Sequence, residues 1–355
     1  MMEPIVTRVR ASLSHVQVVV SHSSPSLSAW PRQFADQCDF IPADQTADAT
    51  RFLDAVRPSV LVIARRDIWP TIMGIAATKI PVLIVGARAT ARGRSFIRGL
   101  SRLYGPVLER VSWVGAVTEA DVQAWQALGV QNGAIDVAGD PAHDRVLERI
   151  PDLTAFAELR SWASGKFTMV AGSFEPTDQA TLSSAAERAL TANPLTRAIV
   201  VPHDPEPGLA ANWSAGPSIS TQVWRRGDRV AGDPQLIVVA ESGLLADLYA
   251  LGDLAYVGGG FRRHMLHSVA EPAAYGLPVV CGPHLEAQWD ARALGDAGGL
   301  HSLTSNGAGT ALTDRWNGYV EEPESRQQDG IAARTVLRAG AARRAATEIG
   351  SRIGA

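Results

Sequence analysis

A run of three glycines in the carboxy-terminal half of the chain lies where a ligand can approach the main chain. Gly258–Gly260 follow the apolar segment Leu254–Val257, and Ser268 and Glu271 come shortly after them. Glycine lets backbone N–H groups come close to a ligand, and Ser268 can cap a helix whose first turn holds a phosphate. A carboxylate at Glu271 can accept hydrogen bonds from the paired hydroxyls of a ribose, so the spacing predicts a nucleotide site. The alternative is that the glycines only form a tight turn and that the helix dipole favours Glu271.

An α/β pattern along the whole chain must position these residues. Short β-branched runs alternate with helix-length amphipathic segments, and this alternation predicts βα units on parallel sheets. The strands predicted in the first half are Val16–Val20, Ser59–Ala64, Pro81–Val85, Val111–Ala116 and Ala134–Val137. The helices predicted between them are Ser26–Asp36, Thr46–Val56 and Trp69–Thr78. Together these elements predict one doubly wound domain over residues 1–150.

A second series of apolar runs predicts a second domain of the same kind over residues 151–355. Its predicted strands are Phe167–Ala171, Ala198–Val201, Leu236–Val239, Leu254–Val257 and Pro278–Cys281. The Ala- and Arg-rich segment from Glu322 onward predicts helix that packs back across both domains. Two such α/β domains are expected to face a cleft at the carboxyl ends of their strands, where ligands bind in sheets of this type. We therefore expect the function to reside in strand-to-helix loops.

Composition excludes several classes of protein. The 355 residues include 33 basic and 36 acidic residues, and the formal net charge of −3 argues against a generic nucleic-acid binder. Only Lys79 and Lys166 are lysines, so mechanisms that need an amine nucleophile or a phosphate-gripping lysine have few candidates. No apolar run approaches the roughly 20 residues that a membrane-spanning helix needs, so no membrane anchor is expected.

Five segments, in order along the chain, resemble motifs of one family of two-domain glycosyltransferases. The segment from Gly258 to Pro278 reads Gly-Gly-Gly-Phe and then Glu-Pro-Ala-Ala-Tyr-Gly-Leu-Pro, which resembles the donor-binding loop of these enzymes. The other four segments resemble motifs of the Kdo (3-deoxy-D-manno-octulosonic acid) transferases and are Asp67–Pro70, Gly86–Thr90, Val170–Pro176 and Val201–Glu206. The resemblance extends from about Pro4 to Arg292.

The resemblance implies a GT-B architecture, with two Rossmann-like domains, and a transfer reaction. The reaction would move Kdo with inversion from CMP-Kdo to a phosphorylated lipid A precursor, without a metal or other cofactor, in lipopolysaccharide biosynthesis. The protein would work peripherally at the cytoplasmic face of the inner membrane. Matching positions imply that the residues holding the nucleotide are Gly172, Ser173, Pro202, His203, Gly243, Leu244, Leu245, Gly259, Gly260, Ser268, Val269, Ala270 and Glu271. For His203 a capping or loop role is the alternative.

The amino-terminal segment departs from the family pattern. In the family a glutamate that follows a first strand, in a Ser-Val-Gly-Glu motif, is the catalytic base, and no segment here matches that motif. Pro4–Ser14 resembles the later part of the helix that carries the glutamate, and Val16–Val20 resembles the second strand. We expect a start codon that is assigned too late, and the alternative is a genuine remnant of the family.

Further departures concern single residues. The Lys or Arg that stabilises the departing charge in relatives falls at Ala142, where the adjacent His143 can supply a donor when protonated. Leu244 and Ser268 stand where the family has a glutamate and an asparagine, and His203 stands where it has an arginine. These substitutions bear on the donor and on turnover, and the fold expectation does not depend on them.

Asp67 is the remaining carboxylate in the amino-terminal domain best suited to catalysis. In relatives the matching acidic residue assists the transition state rather than acting as the base. The alternative is that Asp67 caps the helix that begins near Trp69 and Pro70.

A group of arginines is the predicted site for the acceptor phosphates or an anionic membrane surface. Arg94, Arg98 and Arg102 recur every four residues and share one helix face, and Arg88 precedes them. A solvated helix face is the alternative.

Two other functions remain open at this point. One is a nucleotide-sugar 2-epimerase on the same architecture, which would need several carboxylates and histidines converging on the sugar. The other is a non-catalytic nucleotide- or lipid-binding remnant, which the missing base and Ala142 favour.

Overall fold

The computed structural model describes residues 1–23, 33–65, 67–89, 95, 99, 101–204, 213, 215–286 and 288–353. The chain divides into two compact units. Unit 1 comprises Met1–Glu148 together with Arg338–Ala355, and unit 2 comprises Arg149–Leu337.

The described strands of unit 1 form two parallel sheets. The strands are β1 (Val19–His22), β2 (Gln37–Phe40), β3 (Leu61–Ala64), β4 (Val82–Ala87), β5 (Trp113–Ala116) and β6 (Ile135–Val137). β1 pairs with β2, and the other four lie in the order β3-β4-β5-β6. Every residue of β4 is buried, as expected for an inner strand of a parallel sheet that is covered on both faces.

The helices of unit 1 follow the predicted alternation. Those in the described residues that precede Arg149 are α1 (Met2–Ser12), α2 (Thr46–Val56), α3 (Pro70–Ala76), α4 (Ser101–Leu108), α5 (Glu119–Gln126) and α6 (Pro141–Leu147). α2 has the predicted bounds, and α3 begins at Pro70, whose fixed φ suits the first helical position. The predicted helix Ser26–Asp36 lies largely outside the described residues.

The described strands of unit 2 form a seven-stranded parallel sheet in the order β13-β12-β11-β7-β8-β10-β9. Its strands are β7 (Phe167–Phe174), β8 (Thr196–Pro202), β9 (Thr221–Trp224), β10 (Leu236–Val239), β11 (Leu254–Val257), β12 (Val279–Cys281) and β13 (Leu300–Ser302). β10 and β11 have the predicted bounds.

Helices cover both faces of this sheet. They are α7 (Ala157–Ala163), α8 (Gln179–Ala192), α9 (Leu245–Leu248), α10 (Ala270–Ala274), α11 (Trp289–Asp296), α12 (Ala308–Glu321) and α13 (Pro323–Val336). Successive β7 residues face opposite sides, so Met169 packs in a cluster with residues of α8 and α12. Val170 packs on the other face with residues of α7 and α9. The α/β class predicted from the sequence is therefore confirmed.

The last helix, α14 (Ala341–Ile353), packs within unit 1. Ala342, Ala345 and Ile349 share a buried apolar cluster with Ile5 and Val9 of α1. Residues 338–355 were predicted to belong to the carboxy-terminal domain, and they lie in unit 1 instead. They do so because the small apolar face of α14 is buried against α1.

Candidate functional site

The strand order of unit 2 creates a switch point at β7. From β7 the chain passes to β8 on one side, and β11 later pairs with the other edge of β7. In open α/β sheets, ligands bind in the crevice outside the carboxyl ends of the strands at such a point. The predicted nucleotide-binding residues lie at the carboxyl ends of strands of this sheet, in the loops that follow, or in the first turns of the next helices.

Gly172 and Ser173, at the end of β7, lie in an irregular backbone. The register between β7 and β8 shifts between Gly172 and Phe174, and Ser173 has a φ of +50°. A Cβ on Gly172 would lie 2.2 Å from the Tyr249 hydroxyl and 2.7 Å from Leu245 Cδ1. Packing therefore explains Gly172, whereas a non-glycine residue with positive φ is the kind of strain that clusters at binding and catalytic sites.

A buried carboxylate joins the loop after β7 to the glycine turn after β11. Asp178 is fully buried and accepts hydrogen bonds from the Tyr256 hydroxyl at 2.6 Å, the Gly259 amide at 2.9 Å and the Glu175 amide at 2.8 Å. Burial raises the pKa of Asp178 above its ordinary value. Asp178 was not predicted as a site residue, because its position just before a helix is only an ordinary capping signal.

The three glycines allow close main-chain packing. A Cβ on Gly258 would lie 2.2 Å from the Ser173 carbonyl oxygen, and Cβ atoms on Gly259 and Gly260 would meet main-chain atoms at 2.2 and 2.6 Å. Gly259 also has a φ of +84°, and its amide is bonded to Asp178. The turn is therefore required by the fold itself, and nucleotide contacts of Gly259 and Gly260 stay a prediction.

Three side chains of different strand ends meet beside this turn. His267 Nε2 lies 3.0 Å from Glu175 Oε1, and the rings of His203 and His267 stack with centroids 4.2 Å apart. His203 is exposed, while Glu175 and His267 are half-buried. His203 was predicted as a site residue and its two neighbours were not, although both stand inside the motifs that carried the resemblance.

The start of α10 corrects one expectation and sets the surroundings of Glu271. Val269, not Ser268, is the N-cap residue, and no side chain bonds to the cap, so the predicted capping by Ser268 is wrong. Glu271 is half-buried in the first turn. Burial, and then the charge of Glu271, raise the pKa of Tyr249. A hydrogen bond to Asp247 is the main cause that raises the pKa of Arg149, and the charge of Glu271 contributes to the same shift. The charges of Glu271 and Arg149 therefore attract one another.

The predicted turn Gly243–Leu245 opens α9. Gly243 has a φ of +83° and no atom within 4 Å of a Cβ built on it, so its backbone conformation is what favours glycine. The Leu244 side chain is fully buried in a cluster with Leu248, and Pro202 is also buried. Leu244 is 0% exposed as a whole residue, so its predicted nucleotide contact stays a prediction that would need a local movement.

Asp67 in unit 1 is exposed and does not cap α3. Trp69 is the N-cap residue of α3, without a side-chain bond at the cap. The carboxylate of Asp44 instead accepts hydrogen bonds from the amides of Thr71 and Ile72 at 3.1 and 2.9 Å. The capping alternative for Asp67 is therefore wrong.

The predicted acceptor arginines differ in their surroundings. Arg88 Nη1 lies 3.0 Å from Asp121 Oδ2, so its charge is already paired within unit 1. Arg94 and Arg98 lie outside the described residues.

His143 does not have the position expected for a donor to the leaving group. It is 3% exposed, and its Nδ1 accepts a hydrogen bond from the Arg338 amide at 3.3 Å. The expectation that His143 compensates for Ala142 is therefore wrong, because the side chain is buried inside unit 1.

Comparison with solved structures defines the class of fold. The S. aureus MnaA-UDP co-structure matches with a TM-score of 0.67 at 12% identity, covering 99% of this chain and 93% of that chain. The UDP-GlcNAc 2-epimerase of Neisseria meningitidis bound to UDP-GlcNAc matches with a TM-score of 0.66 at 13% identity, covering 99% and 95%. At such identity the likeness shows the fold alone. The chain has the GT-B fold, with two Rossmann-like domains, as predicted.

Sequence comparison then distinguishes among proteins of this fold. Residues 1–145 match the family model described as 3-deoxy-D-manno-octulosonic-acid transferase (kdotransferase). The 3-deoxy-D-manno-octulosonic acid transferase of Haemophilus influenzae is 22% identical over 345 residues, covering 94% of this chain and 79% of that protein. The enzyme of the same name from Bordetella pertussis is 28% identical over 327 residues, covering 86% and 72%. The resemblance seen in the motifs is confirmed: the chain is a relative of the Kdo transferases.

Within the described part of the chain, no helix combines the length and the apolar character needed to cross a membrane.

Proposed function

We propose that this protein is a glycosyltransferase that moves Kdo from CMP-Kdo to a phosphorylated lipid A precursor in lipopolysaccharide biosynthesis. The observation that carries the proposal is the gathering of motif residues at one sheet edge of unit 2, in a chain whose relatives are Kdo transferases. The GT-B fold is common to transferases and epimerases, so the sequence relationship and the motifs favour the transferase.

The donor site that we propose lies at the switch point of the unit 2 sheet. Ser173 offers a hydroxyl from a strained position, and His203 offers an exposed imidazole. Glu271 accepts hydrogen bonds from the ribose hydroxyls, a contact in which a charge-assisted bond contributes about 1.5–3 kcal/mol. The nearby Arg149 limits the repulsion between Glu271 and the anionic donor.

The transfer proceeds by attack of an acceptor hydroxyl on the anomeric carbon of Kdo. A new C–O bond forms on one face as the bond to the CMP phosphate oxygen breaks on the other, which inverts the configuration. This step needs no metal. We assign Asp67 as the base that takes the hydroxyl proton, since its carboxylate is exposed and not used as a cap. General base catalysis of this kind contributes about 10²–10⁴-fold to the rate.

The acceptor carries phosphates, and we propose that Arg94 and Arg98 bind them or the anionic lipid surface, together with Arg88, which would do so from its ion pair with Asp121. Each basic residue near such a surface contributes about 1 kcal/mol. The protein would then act peripherally at the cytoplasmic face of the inner membrane.

Nucleotide-dependent thermal stability tests the donor site. CMP at 100 times its Kd should add about 2.7 kcal/mol to the stability of the protein and raise its Tm. Glu271→Ala should lose this shift, whereas Glu324→Ala, which alters another first-turn glutamate on an exposed part of α13, should keep it. An equal response to UMP or UDP, or full protection of the Glu271→Ala protein, would contradict the assignment.

Direct assay tests the reaction. Purified protein incubated with CMP-Kdo and a lipid A precursor should release CMP and label the lipid with Kdo. Asp67→Asn should lower kcat by about 10²–10⁴-fold. Epimerisation of UDP-GlcNAc without any Kdo transfer would reject the transferase in favour of the isomerase.

A further inference from the structure

Glu175, His203 and His267 form a compact cluster with the composition of a metal site. One carboxylate oxygen and one nitrogen from each imidazole all lie within 4.8 Å of one another. The three residues follow β7, β8 and the glycine turn after β11, so the cluster is assembled from three strand ends of one sheet.

We propose that this cluster binds one divalent cation of the zinc type. Two imidazoles and one carboxylate are a donor set of zinc sites that keep a position open for a further ligand. Imidazole nitrogen suits zinc and its transition-metal neighbours, whereas magnesium and calcium prefer ligand sets made only of oxygen. The proposal goes beyond the transfer reaction above, which needs no metal, and it does not depend on the identity of the donor.

The geometry requires only a small movement to reach coordination. Zinc–nitrogen and zinc–oxygen distances near 2.0–2.2 Å place neighbouring ligand atoms about 3–3.5 Å apart. His267 Nε2 and Glu175 Oε1 are already 3.0 Å apart. The ring of His203 has to turn out of its stack on His267, and its exposure means that no core side chain must move.

The backbone of the cluster is held in place before any ion arrives. The Glu175 amide donates to the buried Asp178, the His203 amide to the Phe174 carbonyl oxygen, and the His267 amide to the Gly258 carbonyl oxygen. Ligands on a preorganised backbone lose less conformational entropy on binding.

A histidine–carboxylate pair elsewhere in unit 2 provides a matched comparison. His301 Nε2 lies 2.8 Å from Asp329 Oδ2, and the third group on that carboxylate is the Tyr319 hydroxyl. Among the residues that the structure describes, no second imidazole joins this pair to form a metal-type cluster. His301→Ala therefore removes a histidine of similar exposure and pairing without altering the proposed ligands.

Metal titration of the full-length protein, without a histidine tag and stripped with chelator, tests the site. We expect one Zn²⁺ per chain by calorimetry, a visible absorption band on addition of Co²⁺, and a higher Tm with Zn²⁺. Glu175→Gln, His203→Ala and His267→Ala should each weaken Zn²⁺ binding at least about tenfold, and His301→Ala should not. If His267→Ala does not fold, two variants still test the site. They are His203→Ala, which alters an exposed residue, and the near-isosteric Glu175→Gln.

Other results of the same titration would contradict the proposed metal site. Absence of Zn²⁺ and Co²⁺ binding at millimolar concentration would overturn the site. So would binding that survives in the Glu175→Gln and His203→Ala proteins, or that is lost in His301→Ala. Because the titration is done without nucleotide, its failure leaves the CMP protection of the metal-free protein as a separate test of the proposed function.

Discussion

At the scale of single residues, the candidate site depends on buried polar groups that fix backbone loops. The Asp178 carboxylate accepts hydrogen bonds from the amides of Glu175 and Gly259 and from the Tyr256 hydroxyl. The bonds from Tyr256 and Gly259 join the loop after β7 to β11 and its glycine turn, and the bond from Glu175 lies within the loop after β7. Asp178 therefore holds the loops in place and need not touch a ligand.

Asp178→Asn should destabilise the protein. The amide has one oxygen where the carboxylate has two, so at least one buried donor loses its partner, at a cost of about 1–3 kcal/mol. Urea unfolding measures the loss, and Asp314→Asn on the exposed face of α12 is the control with no expected change.

The effect of Asp178→Asn on stability should depend on pH. Burial raises the native pKa of Asp178 above 3.8, so the native state binds this proton more tightly than the unfolded state does. The resulting stability is present below pH 3.8 and is lost as the pH rises through the native pKa. The stability difference between the parent and the Asp178→Asn protein should therefore narrow as the pH rises from 4 to 7, and a difference that widens would contradict this.

At the scale of secondary-structure elements, the docking of α14 on α1 completes the core of unit 1. The buried Asp144 of α6 accepts hydrogen bonds from the amides of Gly340 and Ala342 at 2.7 and 3.0 Å. These amides belong to the start of α14, where the helix leaves N–H groups without a partner of their own. Asp144 thus anchors the helix from another part of the chain.

Asp144→Ala should weaken this anchor. Each buried donor left without a partner costs about 1–3 kcal/mol, so unfolding of unit 1 should shift to lower urea concentration. Asp54→Ala, which removes an exposed partner of Lys79 at 3.5 Å, should change stability far less. Equal effects of the two substitutions would show that Asp144 has no anchoring role.

At the scale of the whole molecule, each described apolar core lies within one unit. The two clusters on the faces of the unit 2 sheet draw all their residues from between Ala155 and Val320. Unit 1 includes a cluster that combines α1 with α14 from the other end of the chain. Unit 2 therefore has a continuous sequence, and unit 1 does not.

A fragment spanning Arg149–Leu337 should fold alone and show the same response to CMP as the full chain. The fragment Met1–Glu148 should not unfold cooperatively, since Ile5 and Val9 lose the cover of α14. Circular dichroism during urea unfolding distinguishes the two cases. A cooperative transition in Met1–Glu148 would show that α14 is dispensable.

Local sequence patterns predicted elements with a buried apolar face, and they did not predict the exposed strand β2. β10, β11 and α2 have their predicted bounds because a buried apolar run and an amphipathic period are properties of neighbouring residues. β2 was not predicted, since it carries Gln37 and Asp39 and is mostly exposed. Its strand conformation depends on pairing with β1.

The amino-acid sequence alone was sufficient for the α/β class, the relationship to the Kdo transferases and the segments that carry the candidate site. Those properties depend on residue types and on the short-range periodicity of apolar residues. The meeting of Glu175 with His267, 92 residues away, was decided by the order of strands in the sheet. The capping of α3 by Asp44 and the docking of α14 on α1 were decided in the same way. Each is a contact between distant segments, and only the folded chain determines which distant segments become neighbours.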